Sequence, residues 1–312
     1  MRKDERTPAE PLTVPRVIEI PAKLIRNHQE KGAEWLASLP AAVERYVREW
    51  ELTVDGAPIS GEASLILPVV RRDGAAAMLK IQPVNDESEA EALALRTWNH
   101  DDVVGVLEDD PETSTLLLER LRARTLDDLP DHVEATRILA ELLTHLSAVP
   151  APPGVRRLAD IAARLVEDAP RWLPQLTDPA EQQLVRRFAD QVREVLPESG
   201  DRLLHWDLHY LNVMAADRRP WLVIDPKPLA GDPAFEVFPV LWNRWDDLVA
   251  TGDVAQAIRD RFALMLDVTG IDRDRALAWT AGRILQNVIW FAEDGATRLE
   301  DELAAVADAL FA

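Results

Sequence analysis

Apolar residues return every third or fourth position between residues 33 and 50, at Trp35, Leu36, Leu39, Val43, Tyr46, Val47 and Trp50. That spacing lays one apolar stripe along a helix, which Pro40 is expected to divide in two. The pattern then turns strand-like. Residues 51–54, 64–70 and 75–81 read as strands, separated by turn material at 55–61 and by the tight turn Arg72-Asp73-Gly74. A helix over 87–98 places Ala90, Leu93, Ala94 and Trp98 on one face. Strands at 103–107 and 115–121 complete a five-stranded antiparallel sheet with one helix inserted after its third strand. Beyond residue 121 the helical period dominates, predicting helices over 132–148, 155–168, 178–196, 233–250, 253–268, 272–292 and 296–311. One non-helical island, 201–232, interrupts them. Strands first and helices after describe an α+β protein of two lobes. These are residues 1–121, with arm, helices and sheet, and the helical residues 122–312, joined near Arg122-Ala123-Arg124. Residues 1–22, with Pro8, Pro11, Pro15 and Pro21, read as an extended arm.

Composition narrows the function. The chain has 312 residues, 47% of them apolar, enough for a substantial core and too many for a disordered chain. Its formal net charge of −20 argues against binding nucleic acid through a basic surface. Cysteine is absent, which excludes disulfides, thiol catalysis and cysteine-ligated metals. With no apolar run of about 18 residues and no apolar segment behind the charged N-terminus, neither a membrane helix nor a signal peptide is expected, and the expected location is the cytoplasm. Arginine occurs 30 times but lysine five times, at Lys3, Lys23, Lys31, Lys80 and Lys227. A lysine inside an apolar segment therefore stands out.

The island carries the chemistry. His205-Trp206-Asp207-Leu208-His209-Tyr210-Leu211-Asn212 has the H-x-D-x-x-x-x-N spacing of a kinase catalytic loop. There, a carboxylate orients an attacking hydroxyl and an amide oxygen reaches a metal held on nucleotide phosphates. Downstream, Trp221-Leu222-Val223-Ile224 leads to a single acid, Asp225, where a second metal-binding carboxylate belongs. A small hairpin between 213–214 and 222–224 would bring Asn212 and Asp225 together. One Asp before a turn is ordinary; four polar residues in register between strands, in a helical region, form a set. Lys80 sits among apolar residues in the third strand, a costly place unless paired. Glu91 on the following helix is the first choice of partner, with Glu87 and Glu89 as alternatives. The loop 55–63 holds Gly56 and Gly61 without a full glycine-rich motif, and its position makes it the expected phosphate cover. Lys227 is balanced between touching phosphate or an acidic neighbour and forming a surface ion pair.

These segments, with Ile224-Asp225-Pro226-Lys227-Pro228 and Gly231-Asp232-Pro233, resemble the streptomycin 6-kinase / hydroxyurea phosphotransferase branch of the aminoglycoside phosphotransferases. Leu241-Trp242-Asn243-Arg244, Leu79-Lys80-Ile81, the segment Glu91-Ala92-Leu93-Ala94-Leu95-Arg96 and Leu116-Leu117-Leu118-Glu119-Arg120-Leu121 strengthen the likeness, which runs from about residue 20 to the C-terminus. It implies a protein-kinase-like two-lobed fold and ATP-dependent phosphorylation of a small-molecule hydroxyl. Asp207 is then the catalytic base, Asn212 and Asp225 hold Mg2+, Lys80 contacts the α/β phosphates and Glu91 orients it. Residues 119–121, from Glu119 to Leu121, form the hinge beside adenine, and His205 braces the loop. Three positions depart from the family's habit: Arg122-Ala123-Arg124 after the hinge, Leu211 in the loop, and Glu236 where Asp is usual as a brace. The acidic charge suits a cationic substrate, with Asp246, Asp247, Asn287, Trp290, Glu293 and Asp294 as cleft candidates, though helix acids commonly form a solvated face. A kinase of another small alcohol (choline-like, sugar or homoserine-like) remains an alternative. So does a nucleotide-binding pseudokinase, against which the presence of Lys80, Asp207 and Asp225 argues.

Overall fold

The computed structural model of the chain describes residues 18–28, 32–99 and 102–312. The expected N-terminal arm lies outside the described residues as far as residue 17. Two compact units divide the rest: residues up to 92 with 105–120, and residues 93–104 with 121–312. One boundary between them falls at Arg120/Leu121. The excursion 93–104 was expected in the first lobe and instead packs in the second unit. The Trp98 indole donates to the Leu146 carbonyl at 3.1 Å, and Val104 N–H donates to the Val223 carbonyl at 2.9 Å. Among the described residues, no helix is long and apolar enough to cross a membrane.

The first unit contains α1 (Ala22–Asn27), α2 (Ala33–Glu49), β1 (Thr53–Val54), β2 (Ile59–Ser60), β3 (Leu65–Val70), β4 (Ala76–Ile81), the start of α3 (Glu91–Thr97), β5 (Val106–Asp110) and β6 (Thr115–Glu119). The sheet order is β1-β3-β4-β6-β5, all antiparallel, with β2 paired to β3. There are thus six strands rather than five, because Ile59 and Ser60 pair with Ile66 and Leu65 inside the expected turn. The strand expected at 103–107 begins at Val106, since Val103 bridges Val223 in the second unit. On β3 every second residue, Leu65, Leu67 and Val69, is buried. These pack with Ala77 and Leu79 of β4 and with the α2 stripe Leu39, Val43, Tyr46 and Val47. Full burial of one such large side chain contributes about 1.5–3 kcal/mol. Helix α2 is continuous through Pro40. The proline lies on the exposed side of the helix. Residues 87–90, expected as helix, form a turn whose Glu87 and Ser88 N–H groups are capped by the Asn85 side chain.

The second unit contains α4 (His132–Ser147), β7 (Arg156–Arg157), α5 (Leu158–Trp172), α6 (Pro179–Val195), β8 (Arg202–Leu204), β9 (Val213–Ala215), β10 (Trp221–Val223), β11 (Leu229–Gly231), α7 (Phe238–Trp242), α8 (Trp245–Ala250), α9 (Val254–Thr269), α10 (Arg273–Glu293) and α11 (Asp301–Phe311). Helix α10 is buried on nearly all sides and packs against α5 and α6, while α9 packs against α4 and α11. Asp131, Asp178, Asp253 and Asp272 cap α4, α6, α9 and α10 by accepting first-turn N–H groups.

Three helix expectations change. The span 233–250 breaks because Arg244 adopts a left-handed φ of 53°, its guanidinium drawn to the Leu129 carbonyl at 2.9 Å. The first residues of 155–168 instead pair with β11, and α5 runs on to Trp172. The last helix starts at Asp301 because Thr297 and Leu299 are held extended, accepting from Thr177 N–H and donating to Glu181. Strands β7, β11 and β8 form the small sheet that launches the island. A close backbone approach locks it: a Cβ on Gly200, whose φ is 78°, would lie 2.7 Å from the Gly231 carbonyl oxygen.

Candidate active site

In the first unit, strand periodicity puts Lys80 on the sheet face opposite Leu79. Only 4% of its side chain is exposed, and its Nζ lies 2.7 Å from both carboxylate oxygens of Glu91. Glu91 is therefore the partner, as first expected. Gln82, two residues along the same face, donates to Glu91 Oε2 at 2.6 Å and to the Ser114 carbonyl at 3.2 Å. Sequence reasoning missed Gln82, although its period-two spacing from Lys80 was the available signal. At the end of β6, Glu119 N–H donates to the Gly105 carbonyl, and Glu119 Oε1 accepts from Gly105 N–H at 2.7 Å. Gly56 lies against Pro68 and Gly61 against Ser64, flanking β2 in the loop expected to cover phosphate.

In the second unit, β8 delivers the chain to His205. The His205 imidazole is buried, and its Nε2–H donates to the Ile224 carbonyl at 2.8 Å while Nδ1 accepts from Asp207 N–H at 3.2 Å. Burial lowers its pKa to about 4, against the pull of that carbonyl and of nearby Asp207, so the ring is a neutral brace. Trp206 holds a left-handed φ of 70°, a strain of about 1–3 kcal/mol. Its N–H donates to Glu236 Oε1 at 2.6 Å, and the Arg156 guanidinium lies 4.6 Å from the indole centroid. Glu236 thus occupies the bracing position. Its other oxygen, Oε2, is buried without a hydrogen-bond partner among the described residues. Burial pushes its pKa up to about 7, partly opposed by Arg283 and by the N–H of Trp206.

Asp207 follows. Burial alone would raise its pKa, but the neighbouring His209 imidazole and the charge of Lys227 outweigh that and hold the carboxyl well below the usual carboxylate range. Lys227 Nζ lies 2.9 Å from Asp207 Oδ2. Of the contacts expected for Lys227, the one with an acidic neighbour is present, and that neighbour is Asp207. Asn212 is buried, its Nδ2 donating to the Asp207 carbonyl at 2.9 Å. The β9–β10 hairpin forms in the expected place, and Ile224 N–H donates to the Asn212 carbonyl at 2.9 Å, setting Asp225 beside Asn212. Asp225 has a left-handed φ of 58°. Two strained residues thus flank one constellation, a pattern common at functional sites.

The substrate candidates are less gathered. Asn287 is buried and donates to the Arg283 carbonyl at 2.7 Å. Asp247 pairs with Arg244. Asp246, Trp290, Glu293 and Asp294 are exposed. No described contact joins any of them to Asp207.

Lys80 with Glu91 in the first unit, and Asp207, Asn212 and Asp225 on a loop and hairpin in the second, are the sets expected of a protein-kinase-like phosphotransferase. Solved structures agree on the fold. An aminoglycoside phosphotransferase crystal structure matches with a TM-score of 0.60 at 17% identity, over 86% of this chain and 98% of that one. A choline kinase from Streptococcus pneumoniae matches with a TM-score of 0.55 at 14% identity, over 88% and 96%. The family model of the aminoglycoside/hydroxyurea antibiotic resistance kinases matches residues 49–295, and the chain belongs to that family. It is 50% identical to a streptomycin 6-kinase of Streptomyces glaucescens, over 96% of this chain and 99% of that one. It is 45% identical to a hydroxyurea phosphotransferase of Kitasatospora aureofaciens, over 94% and 86%. The protein is a kinase of the antibiotic-resistance type.

Proposed function

We propose that this chain transfers the γ-phosphoryl group of ATP to a hydroxyl of a streptomycin-type aminoglycoside. The observation that carries the reading is the gathering of Asp207, Asn212 and Asp225 by one loop and one hairpin. The acceptor oxygen attacks the γ-phosphorus as the bond to the β–γ bridging oxygen breaks; ADP departs and the hydroxyl proton passes to Asp207. Such a reaction needs orientation and charge neutralisation more than covalent help. Asp207 accepts the hydroxyl hydrogen bond, and His205 and Glu236 keep its loop in place. Lys80, held by Glu91, to which Gln82 also donates, neutralises phosphate charge. The backbone at residues 119–121 presents an edge to adenine, and the Gly56 and Gly61 loop covers the phosphates.

Asn212 and Asp225, brought together along the backbone by the Ile224 N–H to Asn212 carbonyl bond, carry hard oxygen donors and would hold Mg2+. When bound, the ion supplies charge neutralisation on the phosphates. Asp207 is the group left for the acceptor.

The substrate class is supported by the streptomycin 6-kinase relatives and by the net charge of −20, which concentrates a polycation near the surface. Exposed Asp246, Trp290 and Glu293 are the proposed contacts. Hydroxyurea, neutral and small, is the second reading, favoured by the 45% identical relative. The test is mass spectrometry of streptomycin, hydroxyurea and choline after incubation with Mg-ATP, with Asp207→Asn as control. A phosphoryl adduct on streptomycin, lost in the variant, is expected. An adduct on hydroxyurea alone selects the second reading, and undiminished transfer by Asp207→Asn refutes the site.

A further inference from the structure

The proposed reaction gives no task to the cation that faces its carboxylate. Lys227 Nζ lies 2.9 Å from Asp207 Oδ2, while Asp207 Oδ1 has His209 Nε2 at 3.7 Å, beyond hydrogen-bond reach. The lysine is held through its backbone. Its N–H donates to the His205 carbonyl at 3.0 Å, and its carbonyl accepts from Arg156 Nη2 at 3.5 Å. Pro226 and Pro228 flank it, each with a ring-locked φ. A short, stiff segment therefore delivers the ammonium to one oxygen of Asp207, with 36% of the lysine side chain still exposed.

The choice of cation bears on the role. The chain uses arginine 30 times and lysine five times, yet lysine stands here. A guanidinium opposite a carboxylate makes a planar fork that engages both oxygens, whereas an ammonium is a point charge that takes one. The geometry points to Lys227 as a positioning residue that holds Asp207 by Oδ2 and reserves Oδ1 for the acceptor hydroxyl. This rests on the reading of Asp207 as the group that receives that hydroxyl. A carboxylate pinned at one oxygen presents the other at a fixed angle, and misplacement of a reacting group by about 1 Å costs on the order of 10²-fold in rate.

Steady-state kinetics of full-length Lys227→Met and Lys227→Arg test it, with streptomycin and hydroxyurea as acceptors and ATP hydrolysis to water as the acceptor-independent readout. Urea unfolding of each variant is measured alongside. Lys227→Met is expected to lose about 10–100-fold in kcat, in transfer and in hydrolysis, with KM for ATP within about threefold. Lys227→Arg keeps the charge, but its fork closes over Oδ1, and KM for the acceptor is expected to rise about tenfold or more. An ion pair serving stability alone gives the reverse: Arg behaves as wild type, and Met shifts only the unfolding midpoint. That result overturns the inference, as does wild-type kinetics in both variants. If Lys227→Met fails to fold, Lys227→Gln takes its place with the same expected loss of kcat. Asp207→Asn separates the two levels. If it retains turnover, the reading of Asp207 falls and this inference with it. If it is inactive while both Lys227 variants match wild type, the role of Lys227 alone is refuted.

Discussion

Replacing Glu236 by Gln is expected to remove a pH dependence from the stability of this protein. Glu236 is fully buried, and its pKa stands at about 7 against an ordinary 4.5. The folded state therefore holds this proton more tightly than the unfolded state does. Stability from this group is greatest below pH 4.5 and falls as pH rises through the window from 4.5 to about 7. Linkage over that window gives a loss of about 2 kcal/mol between roughly pH 5.5 and 8.5 for the wild type. Glutamine keeps an oxygen to accept the Trp206 N–H but has no proton to lose. Its amide nitrogen, in the place of Oε2, costs about 1–3 kcal/mol at every pH for want of a partner. Urea unfolding of both proteins from pH 5.5 to 8.5 measures the difference directly. The gap between the two curves should move in favour of glutamine by about 2 kcal/mol across that range. A gap that stays constant would refute the reasoning, because it would mean that Glu236 titrates alike in both states.

Other consequences follow from the same geometry. His205 acts in the opposite sense: its pKa is lowered to about 4, so its contribution is complete above its ordinary 6.5 and is lost as pH falls from 6.5 toward 4. His205→Gln should flatten that acid slope in the same unfolding series. Glu91→Ala leaves the buried Lys80 ammonium without its carboxylate and should destabilise the protein by about 3–5 kcal/mol, whereas Lys80→Met with Glu91→Leu should restore most of that stability in an inactive enzyme. Gly200→Ala places a Cβ against the Gly231 carbonyl at a left-handed φ and should lower the thermal midpoint, at a cost of about 1–3 kcal/mol or more. Asp207→Ala should reduce turnover by about 10²–10⁴-fold while leaving ATP binding intact, read by kinetics and nucleotide titration.

Much of this architecture is local and was readable along the chain. The α2 stripe and the strand over 64–70 are set by neighbours within a few residues. So was the register of Asp207, Asn212 and Asp225, because a loop between two short strands leaves little freedom in spacing. Lys80 and Glu91 could be matched because a buried ammonium needs a carboxylate and the chain offers few lysines.

What the folded chain decided involves partners distant in sequence. Trp98 and Val104 join the second unit because their polar groups are satisfied by Leu146 and Val223, and nothing within residues 93–104 announces those partners. Arg244 ends a helix because Leu129, more than a hundred residues upstream, accepts its hydrogen bond. Glu236 reaches the Trp206 N–H across thirty residues, and Lys227 reaches Asp207 across twenty. Helical and strand periods follow from backbone geometry and repeat in the sequence itself. A buried charge instead takes whichever partner packing brings within about 3 Å, and that choice is made only when the chain closes on itself.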